Sequence, residues 1–231
     1  PALRNTIIIS AWKMALHLLV PVIVSILLNE IRSNAFRRIS QTLIYLPHFL
    51  SWIILAGIMI DLLSPNGGLV NRFLGLFGAE PIFFLGSNKW FRFTLVFTDV
   101  WKEFGFGTIV YLAAITNIDP TQYEAATIDG ANRFQRIMHV TLPNMRMIIV
   151  LMMVLSLGNV LNAGFDQVYN MYSEAVYPTG DILDTFIYRL SFKNGLWGQS
   201  AAVSMFKSVV STLFISVSYL CAYKFADYRV F

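Results

Sequence analysis

Three ionisable residues, Asp99, Lys102 and Glu103, stand with Trp101 inside an otherwise apolar stretch over 91–115. A charge in such a stretch is expensive and is by default a functional residue. Their spacings of three and four put them on one helical face, where Lys102 can pair with Asp99. Two readings stay open: a polar lining past which a hydroxyl-rich solute slides, or an ion pair that holds helices together. A second polar group, Asn159, Asn162, Asp166, Gln167, Tyr169 and Asn170, combines amides, carboxylates and aromatic faces. Such groups bind sugars, and loop polarity accounts for them equally well. Lys13 and Lys207 are lone lysines in apolar runs; Lys13 is expected to snorkel to an interface, and both read as structural. His17, His48 and His139 are too far apart for a metal set. No Ser/His/Asp or Cys/His arrangement stands out. No G-x-x-x-x-G-K-[ST] occurs, and Gly67-Gly68 has no lysine after it. The chemistry on offer is binding and passage, with no enzyme site visible.

The elements that carry these residues are membrane spans. Apolar residues make up 56% of the 231 and charged ones 13%, about half the usual globular share of ~25%. Mean hydropathy is +0.61, more apolar surface than one or two soluble cores hide. The net charge of +4 rests on few residues and reports topology rather than nucleic acid. Cys221 is the single cysteine and reads as a small buried hydrophobe. A bilayer needs about 20 apolar residues in helix. Five stretches qualify: 5–28, 39–63 with Pro47 inside, 91–115, 144–161 and 201–223. The expected fold is all-α, a single transmembrane helical bundle over 1–231. The first span has no basic run ahead of it, so no cleavable signal is expected.

Basic residues lean to one side. Arg32, Arg37, Arg38, Arg133, Arg136, Arg146, Lys224 and Arg229 fall on the face of the 116–143 loop; Arg4, Arg72, Lys89, Arg92, Arg189 and Lys193 fall on the other. The positive-inside rule places that loop in the cytoplasm. Within it Asp119 is an N-cap, Pro120 a first helical residue, and Gln122 stands where a capping-box partner sits. Gly130 ends a helix of about ten residues at a position suited to the left-handed conformation. A second short helix follows, with Phe134, Ile137 and Val140 on one face, and Pro143 opens the fourth span. Ala125 and Ala126 keep one face of the first helix small, so a partner can approach closely. This is a docking element. Outside, the loops 64–90 and 162–199 are long enough to present surface. In the second, Asp181 caps a helix with an apolar stripe of Ile182, Leu183, Phe186, Ile187 and Leu190, lying on the membrane or packed on the bundle.

Glu124-Ala125-Ala126, then Gly130, then Val140-Thr141-Leu142-Pro143 resembles the EAA signature of ATP-binding-cassette importer permeases, with valine at Val140 in place of the usual isoleucine. Asp129-Gly130-Ala131, Trp101-Lys102 with Gly105, Phe165-Asp166-Gln167-Val168-Tyr169 and Ile187-Tyr188 resemble the sugar-importing branch, nearest to polysaccharide and complex-oligosaccharide permeases. Met147 stands where the family often has a second proline. Full-length members also have a further N-terminal span, and this chain begins where the family's core begins, so the resemblance leaves open whether that span has been removed.

The resemblance implies a type I importer permease of a bacterial inner membrane, forming half a translocation path for a sugar or oligosaccharide. Its coupling helix would be 119–131, with Glu124, Ala125, Ala126, Asp129, Gly130, Ala131, Leu142 and Pro143 meeting the ATPase. The path would include Asp99, Trp101, Lys102, Asn159, Asn162, Asp166, Gln167 and Tyr169. The implied partners are a second, paralogous permease, two ATPase subunits and an extracytoplasmic solute-binding protein. This chain binds no cofactor; ATP and Mg belong to the ATPase. The rivals are an importer permease for a non-sugar solute, an intramembrane enzyme, and a channel or receptor.

Overall fold

The computed structural model describes residues 1–226, with side chains described to residue 217. The side chains of Cys221 and Lys224, and Arg229 altogether, lie outside the described residues. Helix α1 spans Ala2–Glu30, α2 Asn34–Tyr45, α3 Trp52–Leu62 and α4 Leu69–Gly75. Then come α5 over Phe91–Thr116, α6 over Pro120–Ile128, α7 over Arg133–Arg136 and α8 over Leu142–Leu157. Four more follow: α9 Phe165–Met171, α10 Tyr177–Gly180, α11 Leu183–Tyr188 and α12 Trp197–Ala226. No strand occurs among the described residues.

Among the described residues three helical runs are long and apolar enough to cross a membrane: Ala2–Glu30, Arg133–Leu157 and Trp197–Val217. The pattern predicts five spans, slightly more than these, and the differences have physical reasons. The stretch 39–63 is not one helix. Helix α2 stops at Tyr45, a 3-10 turn covers Leu46–Phe49, and α3 starts afresh with the Ser51 side chain accepting from the Ile54 N–H. Pro47 lacks the N–H that would continue the first helix, so this stretch counts as a fourth span only if both pieces are taken together. Helix α5 is continuous over 26 residues, but Asp99, Lys102 and Glu103 in its middle keep it out of the apolar set. The fourth predicted span begins earlier than residue 144, because the helical run starts at Arg133.

The chain gathers into two compact units. One comprises Pro1–Met14, Leu50–Val100 and Gly158–Val217. Its core includes Ile9, Phe91, Leu95, Ala163, Val168, Val176 and Ile182. Polar clamps close it around the start of α1: Asn5 Nδ2 donates to the carbonyls of Pro178 and Asp181, while Arg92 donates to Asn5 Oδ1 at 2.7 Å. The expected N-cap at Asp181 is corrected. Ile182 occupies that place, because the Asp181 carboxylate is taken in two-pronged fashion by Arg189, at 3.0 and 2.7 Å. That carboxylate holds the Arg189 guanidinium above its ordinary pKa. Ile182, Leu183 and Leu190 are buried, so the stripe packs inward instead of lying on a membrane surface.

The other unit includes Ala15–Phe49 and Trp101–Leu157. Tyr111, Ile115 and Met145 form its centre, with Leu18, Val22 and Ile26 of α1 packed against them. Gly105 lets α5 pass against the backbone of α2. A Cβ there would sit 1.9 Å from the Ile44 carbonyl oxygen, a backbone atom that cannot swing aside.

Gly105→Ala should therefore melt lower in detergent, by the ~1–3 kcal/mol typical of overpacking. Gly57→Ala, where a Cβ meets nothing within 4 Å, should not. Equal melting of the two variants would show that the α2–α5 approach is not close.

Candidate functional site

Helix α6 is built as its sequence foretells at the start and end. Asp119 is its N-cap, the carboxylate accepting from the Thr121 N–H at 2.9 Å, and Pro120 follows. That backbone bond, helped by the Thr121 side chain, holds Asp119 below the usual carboxylate range. A carboxyl lowered on folding stabilises at pH above its unfolded value, and that contribution fades as pH drops through the lowered one. Gln122 is not a capping partner; its Oε1 accepts from Asn144 Nδ2 at 2.8 Å, tying α6 to α8. At the far end the Ala131 N–H reaches the Ala126 carbonyl at 2.9 Å and the Gly130 N–H reaches Thr127 at 3.1 Å. These two bonds make a Schellman cap. Gly130 has φ of 79°, where any side chain is strained. The spacing from Ala126 to Gly130-Ala131 is therefore the geometry of one helix end.

Asn132 then starts α7 with a capping box: its Oδ1 accepts from the Gln135 N–H, and Gln135 Oε1 accepts from the Asn132 N–H. The sequence reading missed this box, although Asn-x-x-Gln is its signature. The run from Arg133 passes through a π turn over Ile137–Thr141, with the Leu142 N–H bonded to the Ile137 carbonyl five residues back. Pro143 has no N–H to offer the His139 carbonyl and its ring crowds that oxygen, so the ladder widens there. Asn144 Nδ2 donates to the Val140 carbonyl at 2.8 Å. Tyr123 and Thr141 hydroxyls meet at 2.9 Å, seating α6 on this turn.

The loop presents a surface. Glu124, Ala125, Asp129, Gly130 and Pro143 are exposed, and Ala126, Ala131 and Leu142 are half-buried. Ile128 is 86% exposed and Phe134 70%, two apolar side chains beside the motif that its identity pattern did not single out. A groove lined by Ala126, Asp129, Gly130, Gln135, His139 and Val140 runs beside them.

The intrahelical charges find partners from distant elements. Lys13 does not snorkel. It is buried, its Nζ donating to Gln167 Oε1 at 2.5 Å and the Ala163 carbonyl at 2.8 Å, and lying 3.1 Å from the Asp99 carboxylate. Gln167 is fully buried, its amide donating to the Leu95 carbonyl and Thr98 hydroxyl. Lys102 lies 2.6 Å from Glu103 and donates to the His48 carbonyl at 3.0 Å. His48 Nδ1 meets the other Glu103 oxygen at 2.7 Å and its ring stacks on Phe106. Trp101 is exposed. The helical spacing proposed Lys102–Asp99, whereas the partners described are Glu103 for Lys102 and Lys13 for Asp99; sequence separation hid the partners of Lys13 and His48.

Asn159 and Asn162, both exposed, line an open cleft of about 410 Å³ with Phe165, Asp184, Lys207 and Ser211. Lys207, read from sequence as a lone lysine, is paired with Asp184. Asp166 is exposed, and the Tyr169 hydroxyl donates to Tyr188 at 3.3 Å. Phe165, Tyr169, Tyr188, Phe192 and Trp197 follow one another with ring centroids 4.8–5.3 Å apart.

Long apolar helices, charges tucked among them and an exposed capped helix pair define a helical membrane protein with a structured surface loop. The pattern of the family described as "Binding-protein-dependent transport system inner membrane component" matches residues 17–230, and the chain belongs to that family. It is 38% identical over 229 residues to the polygalacturonan/rhamnogalacturonan transport system permease protein YteP of Bacillus subtilis, covering 99% of this chain and 71% of that one. It is 39% identical to Protein LplB of the same organism, covering 99% and 72%. Among solved structures it resembles a bacterial ABC transporter that imports the acidic polysaccharide alginate, at TM-score 0.92 and 35% identity, over 97% of this chain and 78% of that one. A bacterial alginate ABC transporter in complex with an alginate pentasaccharide-bound periplasmic protein matches at TM-score 0.92 and 35% identity, over 96% of this chain and 77% of that one.

The buried pair gives a direct test. Lys13→Met or Asp99→Leu alone should cost about 3–5 kcal/mol of stability by stranding the other charge, and the double variant clearly less than the two summed. Melting of purified protein measures this. Additive losses would mean that the two charges do not compensate one another.

Proposed function

We propose that this chain is one permease subunit of an importer that carries an oligosaccharide, driven by ATPase subunits on other chains. The observation that carries the reading is the α6–Gly130–α7 element. It is held at both ends by caps, tied to α8 through Gln122–Asn144 and to the π turn through Tyr123–Thr141, and exposes Glu124, Ala125 and Ile128. A helix fixed to a long apolar helix on one side and open on the other passes force from a docked partner. The sequence has no phosphate-cradling loop, so the energy comes from ATP and Mg on that partner. The element faces the cytoplasm in this reading, as its basic residues favour. The other partners are a second permease and a solute-binding protein on the opposite face. The cargo is a sugar polymer fragment with carboxylates, by similarity to the polygalacturonan permease and the alginate importer.

Gly130→Val adds strain of about 1–3 kcal/mol at a positive φ, without a clash, since a Cβ there meets nothing within 4 Å. That should misalign the docking face and leave the bundle inserted. Gly130→Val and Glu124→Lys should both reach the membrane yet abolish uptake, with ATPase subunits lost from the purified complex or hydrolysing ATP without response to loaded binding protein. Normal cargo-stimulated hydrolysis in both variants would reduce the element to a connector.

A further inference from the structure

Two lysine–aspartate pairs sit in the first unit, and their surroundings differ. Lys13–Asp99 is closed in, the side chains 8% and 13% exposed, with Gln167 and the Ala163 carbonyl as further acceptors for the ammonium. That is how a structural pair looks. Lys207–Asp184 opens on the cleft instead, the side chains 23% and 21% exposed. An ammonium has three N–H donors. Among the described residues the Asp184 carboxylate is the acceptor that Lys207 meets, which leaves donors directed to the cleft. The Asn159 and Asn162 side chains and the Phe165 ring line the same space. Its size of about 410 Å³ lies within the ~300–1,000 Å³ of small-molecule sites. Amides for hydroxyls, a ring for a pyranose face and one cation make a chemically complete set for a uronate residue.

We propose that Lys207 reads a carboxylate on the cargo, and that Asp184 is the placeholder this carboxylate displaces. The inference rests on the oligosaccharide reading above and adds the residue that sets charge preference. In the empty cleft Asp184 neutralises the lysine, so the cation is not left alone in an apolar helix. An acidic sugar replaces that partner with its own carboxylate. A neutral sugar has nothing to offer Lys207 beyond a hydroxyl and leaves the pair closed. Asp184 then also repels the incoming anion, so acidic cargo binds against a built-in opposing charge and is released readily.

The test uses the assembled importer with its partner subunits and binding protein in proteoliposomes. Tetragalacturonate and its fully methyl-esterified counterpart are the cargoes, and the readout is the ratio of their uptake KM values. Lys207→Gln should move the ratio against the acidic cargo by on the order of 10-fold, the size of a lost charge-assisted hydrogen bond. Lys207→Arg should restore much of it, and Asp184→Asn should move the ratio the other way. A merely structural pair would lower uptake of both cargoes in parallel in all three variants, leave the ratio unmoved and overturn the assignment. Failure of the unaltered importer to take up either cargo would instead overturn the oligosaccharide reading and this inference with it.

Discussion

An ammonium group within apolar helices must find acceptors, and much of the first unit is arranged around that need. The Lys13 side chain near the middle of α1 meets Asp99 on α5 and the chain at Ala163 and Gln167. Gln167 passes its own amide protons to Leu95 and Thr98 on α5. Three segments far apart in sequence are thereby cross-linked through one charge. The cost of removing that charge from water is large, so the acceptors cannot drift. The apolar core of Ile9, Leu95, Ala163 and Val168 closes beside this knot, and the start of α1 is clamped again by Asn5, Arg92 and Asp181.

The same demand, applied to backbone groups, shapes the loop over 116–143. Each helix end there has its orphan N–H or carbonyl groups met: Asp119 at one start, Ala131 and Gly130 at one end, the Asn132–Gln135 box at the next start. Where Pro143 removes a donor, the chain widens into a π turn, and the Asn144 side chain donates to the neighbouring Val140 carbonyl. A surface loop could leave such groups to water. Meeting them internally makes the element stiff.

Local rules made the loop legible. Asp119, Pro120 and Gly130 were placed because caps and glycine turns act over four or five residues, and the motif Glu124-Ala125-Ala126 sits within the same window. The broad helical class followed from composition. The number of spans did not, because Pro47 and the charges of α5 weigh against apolar length in ways that a window average hides. The charge partners were opaque for a different reason. Helical spacing proposes neighbours three or four residues away, whereas Lys13 meets Asp99 and Gln167, and Lys207 meets Asp184 on a separate helix. Ile128 was overlooked, and Phe134 was grouped with the buried Val140 on one face, because apolar residues in an apolar chain carry no signal of exposure until it is seen.

The π turn before α8 changes how the long helix from Arg133 to Leu157 must be drawn. Each residue advances an α-helix by roughly 100°, and a π turn inserts one extra residue into that count. Side chains before Ile137 and after Thr141 are therefore out of phase by about that angle relative to a uniform helix. A helical wheel drawn straight through the turn assigns Arg133, Phe134 and Met145 to the wrong sectors. Met145 is wholly buried while Phe134 is largely bare, a division that a single wheel blurs. The turn thus acts as an angular offset, letting one continuous rod turn different faces inward at its loop end and at its bundle end.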